Sequence, residues 1–468
     1  MPLKLNRLVA AMALVLQGCS LAPTYKVPDA PIPLHYSGPW QAAKPADKVP
    51  QQWWSLYNDP QLNDLQGKLI SANPDLAAAL AHFDAAQAYA SQLHGGLFPE
   101  IGATGSSVRQ RQSENKPLRG SDQPNVYNTN TAAFTLGWDL DFWGKVRNRV
   151  AAGDAQAQAS ADDLEVARQS LQRQLSNLYL TLAGLDAQQA ILKTSLDDYT
   201  QALNLTRDRY EGQIASELDM TRAQSELAQA QAQLDDVINQ RNLTEHAIGE
   251  LVGQPATTFK LVAIPKFPAL PEVPAELPST LLQRRPDIAA AERRVFAANA
   301  NIGVAKAAFY PDFSLSGYFG GQDMGVGNVL SATNRFWAIG PVVNLPIFTG
   351  GRLTGAENQA KAEFAEASAH YRGSVLKALR EVEDNLSQLR DLKQEAADQQ
   401  AAVDAATQSQ TLAMNSYEAG AVNYLDVVTA QTAALDAQRK LQDVQTRRLQ
   451  ASVGLMVALG GGWQPAKS

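Results

Sequence analysis

A single cysteine in 468 residues excludes an intrachain disulfide, and five scattered histidines (His35, His82, His94, His246 and His370) offer no paired metal-ligand spacing. No metal site and no soluble cofactor is expected. Basic residues are too few and too dispersed for a nucleic-acid surface: 40 Lys and Arg stand against 47 Asp and Glu, a formal charge of −7 without a basic run. The 31 glycines and 24 prolines stay far below the level of low-complexity disorder. Also missing, beyond the first 18 residues, is any apolar stretch long enough to cross a membrane as a helix. What remains is ample for a folded core, since 45% of the chain is hydrophobic. An enzyme would have to rely on carboxylates.

The lone cysteine is well placed. Lys4 and Arg7 make a basic start, Leu8 to Leu16 an apolar run, and Leu16-Gln17-Gly18-Cys19 follows at once. This order predicts an export signal over residues 1–18. The last four residues resemble a bacterial lipobox, which implies cleavage before Cys19 and a covalent N-acyl diacylglycerol on it. Several acyl chains would anchor the chain in a membrane for good. A plain signal peptide followed by a buried cysteine is the alternative, but no A-x-A site lies nearby. Ser20, in place of Asp, implies the outer membrane.

The chain repeats itself. Asn73-Pro74-Asp75-Leu76-Ala77-Ala78-Ala79 recurs as Arg285-Pro286-Asp287-Ile288-Ala289-Ala290-Ala291, and Phe98-Pro99-Glu100-Ile101 as Tyr310-Pro311-Asp312-Phe313, both 212 residues on. Tyr210-Glu211-Gly212, Leu218-Asp219 and Ala223-Gln224 recur as Tyr417-Glu418, Leu425-Asp426 and Ala430-Gln431, now 207 residues on. The predicted order is a signal (1–18), an N-terminal anchor and equatorial segment (19–72), a first repeat (73–258), a Pro-rich linker (259–284), a second repeat (285–459) and a tail (460–468).

Each repeat opens with a helix of about 25 residues at its Pro-Asp pair, where Pro suits the first turn and Asp the helix N-terminus. Two strand-like runs follow, separated by polar, Gly-rich loops at Ser113 to Asn130 and Gly320 to Asn334. Phe134, Leu136, Trp138, Leu140 and Phe142 alternate with Thr135, Gly137, Asp139 and Asp141; Trp337, Ile339, Val343, Leu345 and Ile347 share one parity. Phe313, Leu315 and Phe319 form a weaker run, and Ile101 to Val108 the weakest. Aromatic ends and one-sided apolarity favour transmembrane β-strands over a small soluble sheet. Four strands cannot close a barrel, and an open edge in lipid leaves amides unpaired. The barrel must therefore be shared, and three chains are the fewest that leave a lumen.

The rest reads as helix: Lys145 to about Tyr210, Ser216 to about Val252, Leu353 to about Tyr417, and Asn423 to about Leu459. Leu164, Leu171, Leu175, Leu178 and Leu182 recur at threes, fours and sevens, which predicts a coiled-coil seam. Short Gly-bearing turns at Gly212 and Gly420 join each pair into an antiparallel hairpin.

Three stretches in order carry a family resemblance. Trp53-Trp54-Ser55-Leu56-Tyr57-Asn58-Asp59-Pro60-Gln61-Leu62, then Leu277-Pro278-Ser279-Thr280-Leu281-Leu282-Gln283-Arg284-Arg285-Pro286-Asp287-Ile288, and the ending Leu459-Gly460-Gly461-Gly462-Trp463 together resemble TolC-like outer-membrane factors, in particular the OprM and NodT lipoprotein branch. The resemblance implies a mainly α protein with a β-barrel part: a homotrimer with a twelve-stranded outer-membrane barrel on a periplasmic α-helical barrel. It implies a passive exit duct, not an enzyme, working with a periplasmic adaptor and an inner-membrane transporter of the RND type. The cargo would be drugs or other small toxic molecules, with metal efflux and type I protein secretion as alternatives.

By the same resemblance the hairpin tips close the duct and receive the adaptor. Leu425 and Asp426 are then periplasmic gate residues, with Asp219 and Tyr417 as partners in a closed-state lock, and Gly212, Ser216, Gly420 and Asn423 as adaptor contacts. Two family positions differ: Thr429 stands where a second aspartate is usual, and Val422 where an arginine clamps the hairpins. Asp426 near a helix N-terminus would be favourable without any gate, and the glycines could serve only a tight turn. A trimeric structural coiled coil would explain the helices but neither the duplicated strands nor the lipobox. A glycan-cleaving enzyme would need a carboxylate pair in a cleft; Asp139 and Asp141 come nearest, and both are expected to line the barrel lumen.

Overall fold

The structure is a computed structural model, and it describes residues 20–33, 49–115, 120, 122–264, 266–271 and 284–464. Cys19 with the export signal, residues 272–283 of the linker and the last four residues of the tail lie outside the described residues. In chain order the elements are a 3₁₀ turn (Trp53–Tyr57), α1 (Pro60–Ala72), α2 (Pro74–Gly95), β1 (Glu100–Arg111), β2 (Val126–Asp139), α3 (Lys145–Glu211) and α4 (Glu217–Leu251). The second half gives α5 (Pro286–Ala307), β3 (Asp312–Asp323), β4 (Arg335–Asn344), α6 (Arg352–Glu418) and α7 (Tyr424–Ala458).

The duplication is visible in the element lengths. α2 and α5 have 22 residues each, α3 and α6 have 67, and α4 and α7 have 35. At 1.5 Å per residue, a 67-residue helix is about 100 Å long. The compact bodies nonetheless cut across the repeats. One body draws on Met1–Asp29, His82–Ala161 and Ala290–Arg372, the other on Ala30–Ala81, Asp162–Ala289 and Gly373–Ser468. A hairpin of long helices has no interior of its own, so equivalent parts of the two copies bury one another.

The first body holds the sheet. Its four strands are antiparallel in the order β1-β2-β3-β4, with Glu100 opposite Gly137, Phe134 opposite Phe319 and Asp312 opposite Asn344. In the same body, small side chains, Ala152, Ala155, Ala297 and Ala300, let α3 and α5 pack closely on each other. An extended arm runs along α5: Asn299 Nδ2 donates to the Pro23 carbonyl at 2.8 Å, Tyr25 donates to Glu292, and Ser20 Oγ to Asn148 Oδ1 at 3.0 Å.

The second body shows what the motif stretches do. Trp53, Trp54 and Tyr57 are buried with Leu62, Leu65 and Leu69 of α1 against Leu175, Tyr179, Leu182, Ile248 and Met456. Asp59 caps α1 by accepting from Gln61 N and Leu62 N, and its other oxygen accepts the Tyr179 hydroxyl at 2.6 Å. Arg285 pairs with Asp287 (2.7 Å) and Glu381 (2.8 Å) and donates to the Ala458 carbonyl at 3.1 Å, which ties the start of α5 to the end of α7. Next comes the glycine run: Gly460 and Gly462 have φ of +100° and +75°, and a Cβ on either would lie 2.1 Å from the Arg284 carbonyl oxygen or 2.4 Å from that of Pro50. Leu175 and Leu182 of the expected seam are fully buried, with Leu171 and Leu178 partly so.

The strands differ from expectation at their ends. β1 is a full 12 residues although its stretch from Gly102 to Ser107 is small and largely polar, because pairing with β2 compensates for weak local preference. β2 begins at Val126 and β3 runs to Asp323, both inside the expected loops. β4 ends at Asn344, so Leu345 and Ile347 fall outside it, beside Pro346.

Candidate functional site

Two features could work, one in each body, and the register defines the first. Directly opposed residues of antiparallel strands share a face. One face of the sheet therefore carries Ile101, Phe134, Leu136, Trp138, Phe319, Trp337, Ile339 and Val343, and the other Thr104, Thr131, Thr135, Asp139, Ser314, Ser316 and Gln322. The apolar face is open to its surroundings, with Ile101 73%, Phe134 60% and Trp337 72% exposed. Strands of 10 to 14 residues are long enough to span a bilayer. Aromatic rings gather at one end, where Trp143 stacks on Tyr310 (4.9 Å) and Phe142 meets Phe313 edge-on (5.1 Å). Among the described residues no helix is long and apolar enough to cross a membrane, and no group of three His, Cys, Asp or Glu could hold a metal.

Asp139 lies on the polar face as expected, but Asp141 does not. It adopts φ of +44°, accepts from the Val146 and Arg147 amides at 2.8 and 2.9 Å, and pairs with Arg147. An acid at a helix N-terminus satisfies free amides, so Asp141 holds the turn from β2 into α3 and leaves the lumen row.

The second feature is the pair of hairpin tips, both in the other body. The two turns share one backbone path. Ile214 N donates to Arg209 O at 2.7 Å and Ala421 N to Ser416 O at 2.8 Å, with Gln213 (φ +59°) and Gly420 (φ +77°) as the left-handed residues. Gly212 thus lacks the conformational role expected of it; its neighbour Gln213 takes it. Ser216 then caps α4 in a capping box with Asp219, and Asn423 caps α7 by accepting from Asp426 N at 3.3 Å. Gly212, Ser216, Gly420 and Asn423 all remain exposed.

Tyr417 does not reach Asp219. The Asp219 carboxylate is turned back on its own helix start, where it accepts from Ser216 Oγ at 2.8 Å and lies 3.8 Å from Arg222. Tyr417 instead donates to Thr206 Oγ1 at 3.3 Å, while the Arg209 guanidinium lies 4.4 Å from the Tyr417 ring centroid and donates to the Glu418 carbonyl at 2.9 Å. Ala202, Leu203, Ala223, Tyr424 and Val427 complete a buried cluster around Tyr417, with Val422 packed against it. Burial pushes the Tyr424 hydroxyl above its ordinary range. The hairpins of one chain are thus clasped through Arg209 and Thr206. Arg209 has no duplicate, since Ser416 stands 207 residues on, and repeat comparison could not single it out. Leu425 (47% exposed) and Asp426 lie outside this cluster, on the solvent side of α7.

A sheet with one apolar face and, among the described residues, two open edges, in one chain with antiparallel hairpins of this length, defines an outer-membrane channel protomer. A family model described as outer membrane efflux protein matches residues 65–254 and 277–461, and the chain belongs to that family. It is similar to the antibiotic efflux pump outer membrane protein ArpC of Pseudomonas putida (33% identical, over 97% of this chain and 95% of the relative). Among solved structures it resembles the outer-membrane channel OprN (TM-score 0.89, 28% identical, covering 96% of this chain and 100% of that one). A second likeness is the outer membrane protein VceC of Vibrio cholerae (TM-score 0.81, 31% identical, 88% and 98% covered).

Proposed function

We propose that three copies of this chain form the outer-membrane duct of an efflux pump. The observation that carries the reading is the sheet: four strands with an apolar outer face and unpaired edges are stable in lipid only when further copies close the ring. The duct makes and breaks no bond. It receives cargo from a periplasmic adaptor and an inner-membrane transporter of the RND type, and Cys19 carries the lipid that fastens each chain to the membrane. Small toxic molecules are the favoured cargo, as the antibiotic efflux relative supports.

The hairpin tips form the gate, with Leu425 and Asp426 at the constriction and the turns around Gly212, Ser216, Gly420 and Asn423 meeting the adaptor. Light scattering of detergent-purified protein and conductance in planar bilayers test the reading together with a gene deletion screened against toxic compounds. A trimer that conducts, and a deletion strain sensitised to small molecules, are the expected results. Monomers, or trimers that carry no current, would overturn it.

A further inference from the structure

The duplication predicts how one chain meets the next. The pairing of β2 with β3 joins the first copy to the second within the chain. In a closed ring the same junction must recur between β4 of one chain and β1 of its neighbour, now joining second copy to first.

The equivalences needed are fixed inside the sheet. Glu100 stands opposite Gly137 in the first hairpin and Asp312 opposite Asn344 in the second; β1 maps to β3 212 residues on, and β2 to β4 207 residues on. Across the internal junction Phe134 faces Phe319, Leu136 faces Gly317 and Asn130 faces Asp323. Mapping each pair forward and back, we infer that β4 pairs antiparallel with β1 of a second copy, with Pro341 opposite Ser107 of the partner subunit. In the same register Val343 stands opposite Gly105 of the partner subunit, and Trp337 opposite Arg111 of the partner subunit. This deepens the proposed trimer and rests on it.

Backbone direction provides a check that owes nothing to the duplication. Leu140 N donates to Phe313 O at 2.9 Å, so odd-numbered β3 residues bond to β2 and even-numbered ones to β4. The odd residues of β4, opposite odd residues of β3, therefore turn their backbone groups to the open edge. Pro341 is one of them, and its missing N–H takes no bond from β3. Gln112 N donates to Asn125 O at 2.9 Å, so even residues of β1 face β2 and odd ones, Ser107 included, face the other open edge. The inferred register sets free groups against free groups, and a slip of one residue would not.

The side chains agree as well. Odd residues of both edges belong to the apolar face, so the seam continues it without inversion. Small Gly105 and Ser107 leave room for Val343 and Pro341. Trp337 lies within cross-strand reach of a guanidinium, which suits a cation–π contact.

Cysteine pairs in the full-length protein test the register. Val342→Cys with Ser106→Cys places two thiols directly opposite on the polar face, where an added oxidant can link them; Val342→Cys with Thr104→Cys or with Val108→Cys is displaced by two residues, beyond disulfide range. Light scattering first establishes the trimer. Oxidised V342C/S106C should run as a covalent trimer that reductant dissolves, and the shifted pairs and single variants should lose that band. A trimer band from a shifted pair alone would overturn the register. Native trimers that link through none of the three pairs would overturn the β4–β1 seam, and a monomeric wild type would remove the trimer itself.

Discussion

Arg209 joins the two hairpins of one chain at their tips through a ring contact and one carbonyl bond, both partly open to water. Such a clasp is worth about 1–3 kcal/mol, enough to bias a gate and small enough to be released. Arg209→Ala should therefore raise trimer conductance in planar bilayers several-fold, and Arg209→Lys should restore the wild-type value only in part because lysine lacks the planar fork. Unaltered conductance in Arg209→Ala would leave the clasp without a gating role. A second residue cluster answers to pH. Glu245 (side chain 2% exposed) accepts from Lys260 Nζ at 3.0 Å, Arg241 Nη1 at 2.8 Å and Leu261 N at 3.2 Å. Burial alone would raise its carboxyl, but these donors outweigh it and hold the pKa below the ordinary value. A lowered folded-state pKa contributes stability that is present above the unfolded value near 4.3 and is lost as pH falls through the folded one. Acidification below about pH 4 should thus loosen the segment from Lys260 to Ile264, detected as faster amide exchange of Leu261 in wild type. In Glu245→Gln that amide should already exchange faster at pH 7 and respond far less to acid. Neither cluster is legible in the sequence: Arg209 is not duplicated, Ser416 standing at its place in the second copy, and Glu245 meets Lys260 only because the linker folds back along α4.

At the scale of elements the sequence is most legible where the chain is helical. The ends of all four long helices fall within a residue of those read from proline-free, Ala- and Leu-rich stretches, since local preference and tertiary packing agree there. β1 is the counter-case, a strand made by its neighbour. The tips occupy the ground between. Their two turns share a backbone path but not a residue: Gly420 takes the left-handed position in one and Gln213 in the other. A Cβ on Gly420 would meet nothing within 4 Å, so Gly420→Ala should cost only the backbone penalty, about 1 kcal/mol. Gln213→Gly should relieve a similar strain, offset in part by greater freedom in the unfolded chain. The expected signature is opposite shifts in amide exchange, faster at Ala421 in G420A and slower at Ile214 in Q213G. Equal shifts in both variants would mean that the turns are held by something other than their backbone.

For the whole molecule, the duplication makes one chain supply two unlike hairpins, and a trimer would set six around one axis. Of the two aspartates that the duplication places at the starts of α4 and α7, only Asp426 is free of a capping role. Asp219 is spent on its own helix start, whereas its duplicate Asp426 has its amide capped by Asn423 and its side chain turned to solvent. That difference was not readable from the repeat, which preserves the Leu-Asp pair in both copies; it arises because Ser216 forms a reciprocal box with its aspartate and Asn423 caps one-sidedly. Three Asp426 carboxylates converging on the axis would repel one another and concentrate cations. Asp426→Ala should then raise conductance and abolish most of the block by multivalent cations, while Asp219→Ala, by removing half of a capping box, should destabilise α4 by about 1 kcal/mol and leave cation block intact. If cation block persists in Asp426→Ala, or vanishes in Asp219→Ala, the constriction is built from other residues. The two variants separate a charge that acts across the axis from one that acts along its own helix.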